Sequence, residues 1–127
     1  MRTFAFAVFI LIGAAAIRVD GHHSFAATYD ESRKIEITGQ ILSFSYRNPH
    51  SVVSVEAPGI DTAAARWAIE WGAAAQLLRQ GVARDTLKAG DKVVISGNPG
   101  RRAADHKLRL LTISRPTDGW TWTGTFD

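Results

Sequence analysis

From Lys34 onward the chain alternates apolar and polar positions with a period of two, and the alternation changes phase once. Ile35, Ile37 and Ile41 share one parity, whereas Leu42, Phe44 and Tyr46 follow the other. A slip of one residue just after Gly39 predicts a long first strand that is bulged and sharply curved. Arg47-Asn48-Pro49-His50 reads as a turn, because Asn-Pro breaks regular structure on both sides. A second strand is expected from Ser51 to Ala57, with Val53 and Val55 on one face. A third runs from Arg66 to Trp71, with Trp67, Ile69 and Trp71 on one side and Ala68 and Glu70 on the other.

Ala73 to Gln80 then shifts to helical spacing through Ala74, Leu77 and Leu78, with Gly81 as the stop. After a turn near Arg84 to Leu87, Ala89-Gly90-Asp91 leads into a fourth strand, Lys92 to Gly97. The loop opening at Asn98-Pro99-Gly100-Arg101-Arg102 precedes a fifth strand, Lys107 to Ser114, and Trp120 and Trp122 stand at strand spacing in the tail. Three strands, a short helix and two more strands, with a bent first strand, are the layout of a five-stranded OB-like barrel. A β-sandwich is the competing fold, but it wants about seven strands, more than the pattern supplies. The expected class is therefore mostly β, in a single domain over residues 22–127.

The first 21 residues follow a different rule. Met1-Arg2 carries a positive charge, and Phe4 to Ala16 is uncharged. That run is too short for a bilayer span of about 20 residues. It fits the apolar core of a signal peptide, so export to the periplasm or beyond is expected, with no membrane span after processing. Cleavage after Ala16 or after Gly21 both suit a small-residue site. The second makes His22 the first residue, with its amine and imidazole together as a chelating pair.

Composition narrows the chemistry. The 127 residues carry a formal net charge of +3 and contain no cysteine, which excludes disulfides, thiolate metal sites and cysteine nucleophiles. Setting aside Arg2, Arg18 and Asp20 leaves 13 basic and 11 acidic residues. So mild an excess, on an exported protein, does not point to nucleic acid.

All four histidines fall outside the expected strands and helix: His22 and His23 at the processed N-terminus, His50 after the first turn, His106 at the end of the loop between strands four and five. In an OB barrel the first–second and fourth–fifth strand loops flank one binding face. That placement predicts a divalent-metal site, copper or zinc, drawing on His22, His23, His50 and His106. Arg47, Arg101 and Arg102 lie in the same two loops and form an alternative anion-binding set. Trp120 and Trp122 either cover an open barrel end or, with these arginines, dock an anionic ligand or a periplasmic protein partner. Trp67 and Trp71 read as core. Glu70, if partly buried, is expected to pair with Arg66 or another basic residue. No nucleophile–base–oxyanion constellation is visible, so no catalysis is expected.

His22-His23-Ser24-Phe25-Ala26-Ala27 with Tyr29-Asp30, Thr38-Gly39, Asn48-Pro49-His50, Trp67-x-x-Glu70, Leu78-x-x-Gly81, Leu87-x-x-Gly90-Asp91-x-Val93 and Gly97-x-Pro99 together resemble a family of small exported bacterial proteins of unknown function. The resemblance covers most of Gly21 to Ile113. It implies a periplasmic location and an OB-like barrel, and it brings no activity.

Overall fold

The computed structural model describes residues 25–59, 61 and 63–125. The expected leader, both cleavage sites, His22 and His23 lie outside the described residues. Six strands form one sheet: β1 (Ile35–Ser45), β2 (Val52–Ala57), β3 (Ala65–Glu70), β4 (Lys92–Pro99), β5 (Lys107–Arg115) and β6 (Trp120–Thr123). A four-residue helix, α1 (Phe25–Thr28), precedes β1, and α2 (Ala74–Arg79) joins β3 to β4. The strand order is β3-β2-β1-β4-β5-β6, and a β3–β5 pairing closes the first five strands into a barrel. The mostly-β barrel expected from the sequence is thus the fold observed, with its helix between strands three and four.

The first strand makes closure possible. Ile35 to Gln40 pairs with β4, and Gln40 to Ser45 pairs with β2, so one strand serves two neighbours along successive halves. The phase change lies later than the pattern suggested: the register with β2 shifts between Ile41 and Ser43. Leu42 consequently faces solvent, while Phe44 and Tyr46 turn partly inward. Gly39 has a different job. A Cβ there would lie 2.2 Å from the Glu56 carbonyl oxygen, so only glycine permits that approach between strands.

Alternation fills the interior. Val53, Val55, Ile69, Trp71, Ile95, Leu108, Leu110 and Ile113 are essentially inaccessible to solvent. Leu77 of α2 is equally buried and plugs one end, and Gly81 at φ +82° ends that helix. Leu78, expected on the buried face with Leu77, is 62% exposed because six residues of helix offer only a narrow contact stripe. β4 extends beyond Gly97 to Pro99, since Asn98 and Pro99 still pair with Arg109 and Leu108. The barrel's closing seam is short and parallel: Ala68 with Lys107, Ile69 with Leu108, Glu70 with Arg109.

Of the two alternatives for the C-terminal tryptophans, Trp122 takes the structural one. Trp122 is buried and meets Trp71 edge-on at 5.0 Å, so it belongs to the core. Trp120 is half-buried, with the Arg115 guanidinium 5.5 Å from its ring. β6 pairs with β5 through these residues and extends the sheet beyond the closed five strands. Among the described residues no helix is long and apolar enough to cross a membrane.

Candidate functional site

The β2–β3 register pairs Val52 with Glu70. Even-numbered residues of both strands therefore share the outer face, opposite the buried Val53, Ile69 and Trp71. His50 stands two residues before Val52, where backbone bonds from Ser51 to Gly72 and from Trp71 to Ser51 prolong the pairing. That places its imidazole beside Glu70, with Nδ1 2.6 Å from Oε1. The turn is fixed from below by Ser51, whose buried hydroxyl donates to the Arg47 carbonyl and accepts from the Arg47 amide. An apolar residue at Ser51 would lose both bonds.

The other Glu70 oxygen is taken from the N-terminal side. Tyr29 donates its phenol to Oε2 at 2.5 Å. Tyr29 is held by a one-pair bridge to Gly100, and the next amide, Asp30, donates to the Pro99 carbonyl. One turn earlier, the Phe25 ring lies 5.6 Å from the His50 ring, and the Arg109 guanidinium covers it at 3.9 Å. Arg109 in turn pairs with Glu31 at 2.5 Å. Beside this chain of contacts is an open cavity of about 420 Å³, lined by Tyr29, Arg47, Asn48, Pro49, His50, Val52, Ala68 and Glu70.

The chemistry follows from the acceptor. Glu70 takes a hydrogen bond on each oxygen, so both donors are oriented by one carboxylate. In the neutral imidazole this bond assigns the proton to Nδ1 and leaves the lone pair on Nε2. Burial drives the Tyr29 phenol well above its ordinary range, and the hydrogen bond to Glu70 and the glutamate's charge add to the shift, while Arg109 opposes it. A tyrosine whose proton is held more tightly in the folded state stabilises fully below the unfolded value of about 10 and loses that contribution above it. Urea unfolding measured from pH 9 to pH 11.5 should show stability falling by up to about 1.4 kcal/mol per pH unit above pH 10. Tyr29→Phe should flatten that part of the curve; an equal slope in the variant would place the titration elsewhere.

The four histidines are not all brought together. His106 caps a short 3₁₀ turn in the left-handed conformation, φ 45°, and meets the edge of Trp67 at 5.0 Å. It does not line the cavity beside His50. Among the described residues no three His, Asp or Glu side chains are grouped to hold a metal ion. The arginines divide as well: Arg47 lines the His50 cavity, whereas Arg101 and Arg102 line grooves with Lys107. Glu70 pairs with His50 and Tyr29 rather than with Arg66, because Arg66 sits at the far end of β3, opposite Glu56.

Tyr29 and Phe25 were not among the candidate site residues read from the sequence. Both sit in a polar stretch without periodicity, and what fixes them is backbone about 70 residues away along the chain. The usable signal was Glu70, the one carboxylate on β3 and part-buried at its end.

A model described as a family of unknown function (DUF6152) matches residues 10–109 of the chain. Neither a curated protein nor a solved structure matches it.

Proposed function

For this chain, which belongs to that family of unknown function through residues 10–109, we propose an exported, non-catalytic binding protein that holds a divalent copper or zinc ion at His50, His22 and His23. The observation that carries the reading is the 2.6 Å contact between His50 Nδ1 and Glu70. Metal-binding imidazoles commonly donate one ring N–H to a carboxylate, which fixes the ring and raises the basicity of the other nitrogen. Glu70 is then a positioning residue and Nε2 the donor atom.

Chain connectivity supports the N-terminal partners. Phe25 rests against His50, and His23 is only two residues upstream. Cleavage after Gly21 adds the terminal amine of His22 to the donor set. Nitrogen donors without thiolate suit Cu(II) or Zn(II). His106 has no part in this reading, since its ring packs on Trp67.

Calorimetric titration of the processed protein with CuCl₂ and with ZnCl₂ tests it. Saturable binding of one ion is expected, weakened at least about 10–100-fold by His50→Ala and by His22→Ala, and unchanged by His106→Ala. Absence of binding, or binding indifferent to His50, overturns the proposal. Intact mass of the exported protein identifies its first residue.

A further inference from the structure

A second polar centre lies on the other side of α1 and needs no metal. Two adjoining grooves share Arg101, Arg102 and Lys107 as walls. The larger, about 350 Å³, is completed by Ala27, Thr28 and Asp105. The smaller, about 70 Å³, has Ile35, Trp67, Pro99 and Ala103 beside Arg33. Four cations therefore border one surface region. Arg102 is partly neutralised by Asp105 at 3.0 Å, and the Asp30 carboxylate lies within the electrostatic reach of Arg101 and Arg33. Lys107 and Arg33 have no ion pair among the described residues within 4.0 Å, so positive charge remains in excess.

The cluster is also held in place. Arg101 donates through Nε to the Ala26 carbonyl at 2.7 Å, and its amide donates to the Thr28 carbonyl at 3.0 Å. This fastens the loop to α1 and commits only one edge of the guanidinium. The Gly100 amide bonds the Lys107 carbonyl, which holds the lysine's strand against the same loop.

We propose that these grooves bind a phosphate monoester, with Arg101, Arg102, Lys107 and the Thr28 hydroxyl around the phosphate. Arg102 holds Asp105 through Nε and Nη2 and offers its remaining terminal nitrogen, and with Arg101, the Lys107 ammonium and a hydroxyl from three separate segments it suits a doubly charged tetrahedral anion. The apolar annex sets the organic part. At about 70 Å³ it is the smaller of the two grooves, so a short aliphatic ester such as glycerol 3-phosphate suits the pair better than a nucleotide. A lipid headgroup and a soluble ester share this chemistry.

Two-dimensional amide NMR during titration with glycerol 3-phosphate tests the site. Saturable shifts are expected at Thr28 and over residues 100–107, with affinity reduced at least tenfold in Arg102→Ala/Lys107→Ala. Both side chains are exposed, so the double variant keeps the fold, which its spectrum checks directly. Sedimentation with vesicles containing phosphatidic acid, against phosphatidylcholine alone, separates the sources. Selective co-sedimentation lost in the double variant supports a lipid monoester; titration without co-sedimentation supports a soluble one. Absence of saturable shifts together with absence of selective sedimentation, or binding unchanged in the double variant, overturns the proposal. Metal titration at His50 is a separate readout, and its failure leaves this result intact.

Discussion

Replacing Trp71 with alanine is expected to cost about 3–5 kcal/mol, the range for deleting a large aromatic side chain from a packed core. Trp71 is fully buried, with Phe44 at 5.8 Å and Trp122 edge-on at 5.0 Å. It therefore joins β1, the end of β3 and β6 at one point. A loss of that size is a large share of the roughly 5–15 kcal/mol that stabilises a domain. Trp71→Phe should cost less than half as much. The indole Nε1 is buried with no hydrogen-bond partner among the described residues, so phenylalanine gives up volume without breaking a bond. Urea midpoints for both variants, compared at equal slope, decide the matter. Equal losses would mean that the indole nitrogen has a partner.

Glu70→Ala is the second large effect, at about 2–3 kcal/mol. Its carboxylate accepts from Tyr29 and His50 together. His50, 37% exposed, recovers water readily, whereas Tyr29, 3% exposed, recovers it less. Most of the cost should therefore come from the phenol. A double-mutant cycle with Tyr29→Phe is expected to give a coupling of about 1 kcal/mol or more, and Glu70→Ala in the Tyr29→Phe background should be correspondingly milder. Additive losses would show that the two side chains act independently. On the metal reading, Glu70→Ala also weakens copper or zinc binding about 10–100-fold by releasing the imidazole. Tyr29→Phe should weaken it less, because Glu70 keeps its contact with His50.

The barrel was legible because its strands obey one rule: Val53 and Val55, or Trp67, Ile69 and Trp71, point inward at every second position. Glycine and proline punctuation marked the turns between them. The bulge at Ile41–Ser43 was displaced in the reading because Gly39 suggested a flexible point, whereas that glycine answers to the Glu56 backbone. His50 was legible as a loop residue near the binding face. Its partner was not, since the Val52–Glu70 pairing depends on strand register, which alternation alone leaves open. His106 was misplaced with it because loop membership says nothing about a ring that turns back onto Trp67. For Trp122 both covering the barrel and docking a partner stayed open, because the β5–β6 pairing that buries it cannot be counted from spacing.

The three-pair parallel seam between β3 and β5 has a consequence for motion. Parallel pairing is slightly weaker per residue than antiparallel, and every other neighbouring pair in the barrel has more registered partners or a local hairpin behind it. The cylinder should therefore part first along this line, as a local opening well below the energy of global unfolding. Glu70 stands on one lip, and Lys107 and Arg109 on the other. A guest seated across the lips favours the shut form by mass action.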